Sequence, residues 1–167
     1  LKSFESAIEI NPNYYQAHFN SATAYRGKGE LNEAIKSYDR ALEINPEYAK
    51  GLAYKSLSLK NLGNFEEAIR TAKESIRVRP DYGMAHRHLS SMLNYSEKNN
   101  SHILEMESAY KEELTNQEDR MHIAFGLGKA YEDLRDYEKA FSFLQEGNRI
   151  HRGSIDYSTE SRLKSFT

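Results

Sequence analysis

The spacing of the prolines constrains the fold of this chain more than any other feature. Its three prolines, Pro12, Pro46 and Pro80, lie 34 residues apart, and a tyrosine follows each of them two positions later. A residue that precedes proline is disfavoured in the α-helical conformation, so we expect each proline to mark the end of one structural unit. A fixed period of this length predicts an array of stacked helix pairs.

Other positions recur with the same period and indicate what one unit contains. Gly29 and Gly63 are 34 residues apart, and we expect each to form the tight turn between two paired helices. Ala34, Tyr38 and Ala41 fall at positions i, i+4 and i+7 of one helix, which places them on one face. The small alanines would let paired helices approach closely, and the tyrosine would fill the space between neighbouring units.

The period also predicts where the helices lie and where the array is irregular. Tyr131 follows the equivalent Tyr25 by 106 residues, which is three periods plus four. We therefore expect an insertion of about this length between Tyr95 and Met121. We also expect Asn64 to cap the helix that follows it. The predicted helices cover residues 2–10, 15–27, 31–44, 48–62, 65–78, 82–95, 102–114, 117–134 and 137–151.

These columns resemble the tetratricopeptide-repeat (TPR) family. In that family, a large residue, Leu-Gly and Tyr on the first helix precede Ala, Phe or Tyr, Ala and finally Pro. The pattern is present in part at Phe4, Ala7 and Pro12, in full over residues 15–46 and 49–80, and again over residues 124–144. The resemblance implies an all-α fold, a right-handed α-solenoid of antiparallel helix pairs known as the TPR superhelix.

The same resemblance implies a domain organisation. We expect a TPR array over residues 1–152, with a half repeat (1–12), two full repeats (13–46 and 47–80), a divergent repeat (81–118) and a last repeat (119–152). Residues 153–167 would form a C-terminal capping helix or a linker, since Ile155, Leu163 and Phe166 could cover the apolar end of the array.

A narrower resemblance covers residues 82–155. Segments 86–93, 122–134, 137–141 and 147–152 are similar to the repeats that precede the catalytic domain in bacterial TPR–sulfotransferase proteins. This resemblance implies an alternative function, in which the chain is the N-terminal regulatory or substrate-recruiting region of an enzyme that uses 3′-phosphoadenosine-5′-phosphosulfate (PAPS). The catalytic domain would lie beyond Thr167, so no residue of this chain inherits a catalytic role.

The composition argues against several functional classes. The formal net charge of −2 and the pI near 6.3 lack the positive excess typical of nucleic-acid-binding proteins. No apolar run approaches the ~20 residues that span a bilayer. Cysteine is absent, which excludes disulfides and thiol nucleophiles and fits a reducing compartment. We therefore expect a cytoplasmic protein that binds neither nucleic acid nor membranes.

Three motifs suggest chemistry, and each has a simpler explanation. Gly126-Leu-Gly-Lys129 lacks the first glycine and the final hydroxyl residue of a phosphate-binding loop, so we expect its glycines to allow close helix packing. His86 and His88 are two residues apart and cannot chelate a metal ion from one helix face. Acidic pairs such as 66–67 have no nucleophile or oxyanion donor beside them. We therefore predict no enzymatic activity, no cofactor and no metal site.

The TPR resemblance also implies a binding site, because the first helix of each unit lines a concave groove in that family. The predicted groove residues are Gln16, Phe19, Asn20, Thr23, Arg26, Lys50, Tyr54, Leu57, Lys60, Met84, Arg87, His88 and Ser91. Four of them are lysines or arginines and none is a carboxylate, although the whole chain is slightly acidic. We therefore predict that the groove binds a protein or peptide with an acidic segment. The expected apolar anchors are Phe19, Tyr54, Leu57 and Met84.

The incomplete first unit leaves a third function open. It lacks the first helix that would cover Phe4, Ile8 and Ile10. Self-association through these apolar residues is therefore an alternative to the binding of a different protein.

Overall fold

The computed structural model describes residues 2–98, 100–112 and 115–164, with side chains described within residues 3–154 of these ranges. Over this part of the chain there are nine α-helices and no strand. The helices are α1 (Lys2–Ile10), α2 (Tyr15–Gly27), α3 (Leu31–Ile44), α4 (Ala49–Asn61), α5 (Phe65–Val78), α6 (Gly83–Ser90), α7 (Ser101–Lys111), α8 (Gln117–Asp133) and α9 (Tyr137–Lys164). None of these helices is both long and apolar enough to cross a bilayer.

The chain forms two compact units, Leu1–Met92 and Leu93–Thr167. In the first unit α2 packs against α3, and α4 packs against α5. Between these pairs, α3 contacts α4, and α5 contacts α6. In the second unit α8 packs against both α7 and α9. This pairing of consecutive helices confirms the predicted all-α solenoid of helix pairs.

The turn between paired helices has the backbone geometry that the glycine column predicts. Gly29 and Gly63 have φ angles of 80° and 84°, in the left-handed region that costs glycine little. In both turns the next residue closes a hydrogen bond to the helix, from the Glu30 amide to the Tyr25 carbonyl and from the Asn64 amide to that of Leu59, each at 3.0 Å.

The turn between α8 and α9 has the same geometry but contains no glycine at this position. Arg135 has a φ of 57°, and the Asp136 amide donates to the Tyr131 carbonyl at 2.9 Å, as in the other two turns. The left-handed conformation of Arg135 could not be predicted from the sequence, because the period predicts the turn but not the residue that adopts it. A side chain with a Cβ is strained by about 1–2 kcal/mol in this region.

We predict that Arg135→Gly stabilises the chain. Relief of the left-handed strain should raise the free energy of unfolding by about 1 kcal/mol, since part of the gain is offset by the greater freedom of glycine in the unfolded chain. Urea denaturation followed by circular dichroism measures the change. A lower stability than the parent would contradict the assignment of strain to Arg135.

The predicted small-residue face forms the core of the first helix pair. Ala34, Tyr38 and Ala41 are each 0% exposed, and they pack with Ala22 of α2. In the next pair Ser75 takes the place of the second alanine. It is also fully buried, and its hydroxyl donates to a backbone carbonyl of α4 at 2.8 Å. The column therefore tolerates a polar atom only where a hydrogen bond satisfies it.

We predict that Ala34→Asp unfolds the first unit or lowers its free energy of unfolding by about 3–5 kcal/mol, because it buries an unpaired carboxylate between packed helices. The measurement is urea denaturation with helicity as the readout. Asn32→Asp is the matched control, because it adds the same charge to an exposed position of α3 and should change stability by less than about 0.5 kcal/mol. Equal stabilities of the two variants would contradict this account of the core.

The predicted helix over residues 82–95 is too long, because α6 ends at Ser90. The backbone beyond it is held by side chains of α8 instead of by helical hydrogen bonds. The Tyr95 amide donates to Asp133 at 3.0 Å, and the Lys129 ammonium donates both to Asp133 at 2.5 Å and to the Leu93 carbonyl. These partners lie far along the chain, so a local pattern could not reveal them.

Two further helix ends differ from expectation. Asn64 occupies the cap position of α5, but its side chain makes no capping hydrogen bond, contrary to the prediction. The helix predicted to end at residue 151 continues to Lys164. The predicted capping residues Ile155 and Leu163 have no described side chains, and Phe166 lies outside the described residues.

In the second unit, a glycine lets α8 pack closely on α9, and a buried tyrosine of α8 bonds to α7. A Cβ at Gly128 would lie 2.7 Å from a methyl group of Leu144, so α8 and α9 can approach this closely only with glycine there, as the sequence predicts. The hydroxyl of Tyr131 donates to the Glu107 carboxylate. Burial, reinforced by this carboxylate, raises the pKa of Tyr131 to about 12, so the phenol stays protonated throughout the physiological range.

Candidate functional site

Helices α2, α4 and α6, each the first helix of its repeat, lie side by side in the first compact unit. Helix α4 contacts both α2 and α6, so the predicted groove residues on these helices belong to neighbouring positions of one surface. We call the thirteen predicted groove residues the first-helix surface. All of them lie on these three helices except Ser91, which directly follows α6.

Tyr54 is the centre of the best-defined part of this surface. The guanidinium carbon of Arg26 lies 5.1 Å from the centroid of its ring, and the ammonium of Lys50 lies 5.9 Å from it. The same ammonium lies 5.3 Å from the ring centroid of Phe19. Such cation–π contacts attract without neutralising the charge, so both cations keep their attraction for an anion. The buried Nε of Arg26 has no hydrogen-bond partner within the described residues.

Phe19 does not serve as the exposed anchor that the sequence suggested. It is only 5% exposed, and its ring packs against Tyr38, Tyr48 and Tyr54 with centroid distances of 5.2–5.7 Å. Phe19 is therefore a core residue that packs against Tyr54, and the prediction that it is an exposed anchor is wrong. The bulk of three tyrosines covers the ring of Phe19.

Thr23 also acts inside the surface. Its hydroxyl donates to the Phe19 carbonyl at 3.0 Å and lies 3.3 Å from the hydroxyl of Tyr38. Burial raises the pKa of Tyr38, and the hydrogen bond with Thr23 and the positive charge of Arg26 offset only part of this effect. Thr23 therefore binds a buried tyrosine of the core, and Arg26 lies close enough to affect its pKa.

A second group lies where α4 meets the end of α6. The Lys60 ammonium donates to the Ser91 hydroxyl at 2.8 Å, and that hydroxyl donates to the His88 carbonyl at 2.6 Å. The Nδ1 of His88 lies 3.1 Å from the Ala53 carbonyl, which requires the tautomer that is protonated at this nitrogen. The sulfur of Met84 accepts a hydrogen bond from the Tyr82 hydroxyl at 3.9 Å.

The remaining predicted residues differ in how much of them is accessible. Gln16 and Leu57 are half-buried, whereas Asn20 and Arg87 are exposed. The structure therefore brings together Arg26, Lys50 and Tyr54 in one group and Lys60, His88 and Ser91 in another.

Charge pairing distinguishes the first-helix surface from the rest of the first unit. Several cations of the second helices have carboxylate partners, such as Lys36 with Glu33 and Arg40 with Glu43, both at 2.7 Å. Over the described residues, by contrast, no carboxylate pairs with the three cations Arg26, Lys50 and Lys60. The positive charge of these three side chains is therefore not neutralised by a carboxylate of the described residues.

The histidines have a backbone-binding role that sequence reasoning missed. His18 and His86 occupy the same repeat column, and the Nε2 of each bonds the carbonyl of the proline six residues earlier, at 2.9 Å and 2.7 Å. A histidine at a fixed distance after two of the three prolines was the available signal. No group of three or more potential metal ligands occurs in the part of the chain that the structure describes.

Comparison with known families agrees with the repeat geometry. Two family models, both described as tetratricopeptide repeat, match the chain. The first matches residues 15–48, and the second matches residues 48–82 and 122–150. Together the matches cover more than half of the chain. The chain belongs to the tetratricopeptide-repeat family and is a helical scaffold of the class that interacts with proteins. No curated protein sequence matches it.

Several solved structures share the fold. The crystal structure of MamA is 15% identical, with a TM-score of 0.65, and the match covers 93% of this chain and 89% of that one. Cut9, from the APC/C hetero-tetramer Cut9–Hcn1, is 19% identical with a TM-score of 0.71, over 89% of this chain and 29% of that one. PilF of Pseudomonas aeruginosa is 18% identical with a TM-score of 0.66, over 87% and 65%. Identities this low show a common fold.

We predict that Tyr54→Leu destabilises the first unit by about 1–2 kcal/mol relative to Tyr54→Phe. Leucine removes the aromatic face that Arg26 and Lys50 contact, whereas phenylalanine retains it. Denaturant unfolding of the two variants measures the difference. If both variants had the same stability, the cation–π contacts at Tyr54 would contribute nothing measurable.

Proposed function

We propose that the chain binds an acidic segment of another protein on the first-helix surface, without catalysing a reaction. The observation that carries the proposal is the pair of cations, Arg26 and Lys50, placed against Tyr54 with no carboxylate partner in the described residues. Carboxylates of a partner would supply the missing negative charge, and the ring of Tyr54 would supply apolar contact.

The second group extends the proposed site along the same surface. Lys60 is fixed by the Ser91 hydroxyl, a neutral acceptor, and so retains its full charge. The half-buried Leu57 lies on α4 between Tyr54 and Lys60 in sequence. An extended peptide with alternating acidic and apolar residues fits this order of cations and apolar side chains.

The test uses fluorescently labelled short peptides in which Glu alternates with Leu, and matched peptides in which Lys replaces Glu. Fluorescence anisotropy with the full chain should show saturable binding of the acidic peptide only. Affinity should fall as salt is raised, because the contacts are between accessible charges. We predict that Lys50→Glu with Lys60→Glu weakens this binding at least about tenfold, which corresponds to about 1.4 kcal/mol.

The matched control is Lys36→Glu with Arg40→Glu, which makes the same charge change on α3, away from the first helices. This control should bind the acidic peptide nearly as well as the parent chain does. If both double variants lost affinity equally, binding would depend on net charge alone, and the proposed site would be wrong.

Two alternatives from the sequence stay predictions. Ile10 is 86% exposed and Phe4 and Ile8 are half-buried, which favours self-association through α1, and a concentration-dependent mass would support it. The resemblance of residues 82–155 to sulfotransferase-linked repeats implies a role beside a catalytic domain. Finding sulfotransferase sequence in the same parent protein would support that role.

A further inference from the structure

The second unit contains a cleft that the first-helix surface does not include. Its volume is about 510 Å³, and its wall includes Tyr110 of α7 together with Phe143, Glu146, Arg149 and Arg152 of α9. We call it the α7–α9 cleft. Sites for small molecules and for single side chains of a partner have volumes of ~300–1,000 Å³, so the cleft is large enough for such a group.

Arg120 of α8 lies beside the cleft, against Tyr110 of its wall. The guanidinium carbon of Arg120 lies 5.6 Å from the ring centroid of Tyr110, and its Nη2 donates to the Glu112 carbonyl at 3.0 Å. Its Nε is buried and has no hydrogen-bond partner among the described residues. The guanidinium of Arg120 therefore adds positive charge next to the cleft.

The cleft already stabilises one anion of the chain itself. The Nε and Nη2 of Arg149 donate to the two oxygens of Glu146 at 2.7 Å and 2.8 Å. This bidentate pair, with the more distant charge of Arg120, lowers the pKa of Glu146. Arg152 makes only a long bond to the Asn148 carbonyl and has no carboxylate partner in the described residues. Arg149 and Arg152 in the cleft wall, with Arg120 beside it, therefore outnumber the one carboxylate of that wall, Glu146.

The aromatic side chains give the cleft an apolar side. The rings of Tyr110 and Phe143 pack edge to face with their centroids 5.5 Å apart, and the ring of Phe143 stacks on Tyr131 at 5.7 Å. These rings are held in place by the core of the second unit. The cleft therefore offers a fixed aromatic wall next to an excess of guanidinium groups.

We propose that the α7–α9 cleft binds a phosphate monoester, with the phosphate against Arg149 and Arg152 and the carbon part of the ester against Tyr110 and Phe143. A phosphate monoester carries up to two negative charges near neutral pH, and the arginines in and beside the cleft exceed its one carboxylate. Planar guanidinium groups bind phosphate oxygens with paired hydrogen bonds. This inference is independent of the proposed binding at the first-helix surface.

The test is a titration of the ¹⁵N-labelled full chain with phenyl phosphate at a pH well above the second phosphate pKa of about 6. We expect saturable shifts of amide resonances that are confined to residues of the cleft, such as Tyr110, Phe143 and Arg152. Phenyl sulfate has the same shape but a single charge, and inorganic phosphate lacks the ring. Both should bind more weakly than phenyl phosphate does.

Two variants change the affinity in opposite directions. Arg152→Gln removes one exposed guanidinium group and should weaken phenyl phosphate binding about tenfold. Glu146→Gln removes the resident negative charge and should strengthen binding several-fold. Arg70→Gln is the matched control, because it removes an exposed arginine of the first unit and should leave the affinity unchanged.

Three results would overturn the proposal. The first is a set of shifts that do not saturate or that spread over both units, which would indicate an adventitious ion only. The second is an equal affinity of Arg152→Gln and Arg70→Gln. The third is weaker binding by Glu146→Gln in a chain whose circular dichroism matches that of the parent. A phosphotyrosine peptide and phenyl phosphate, compared at the same site, distinguish a protein source of the ester from a small molecule.

Discussion

Close contact between the two helices of a pair is the constraint on which the other features depend. In the first unit it is met by Ala34 and Ala41, which are fully buried beside Tyr38. In the second unit the same requirement is met by Gly128, where even a Cβ would meet Leu144. Different small residues thus allow the same close approach of two paired helices, because packed interiors tolerate neither voids nor overlap. The small-residue column is therefore a geometric requirement of the fold.

This constraint also arranges the first-helix surface. Because each helix pair is thin and stacks on the next, α2 and α6 both contact α4, and side chains from separate repeats become neighbours. The Lys50 ammonium can thus face the rings of both Phe19 and Tyr54. Arg26, Lys50 and Lys60 are held by aromatic rings and a hydroxyl group, which position these cations without neutralising them. The rings beneath them belong to an apolar core.

The sequence predicted the parts of the structure that repeat, and it did not predict the parts that depend on distant contacts. Gly29 and Gly63 revealed the turns, and the alanine column revealed the core, because each position answers to one local requirement. The burial of Phe19 was not predictable, since periodicity assigns a helix face but not how deeply a ring lies. The early end of α6 depends on Asp133, which meets Tyr95 only in the folded chain. The α7–α9 cleft likewise combines residues of two helices that no sequence spacing connects.

The ring cluster around Phe19 has a practical consequence. The chain contains twelve tyrosines and no tryptophan, so its near-ultraviolet circular dichroism arises from tyrosine and phenylalanine alone. Tyr38, Tyr48 and Tyr54 surround Phe19 at fixed angles, and rings held rigidly in asymmetric surroundings give strong bands in this region. Tyr54 belongs both to this cluster and to the first-helix surface. Occupation of the surface would thus alter an optical signal that the protein carries without any label.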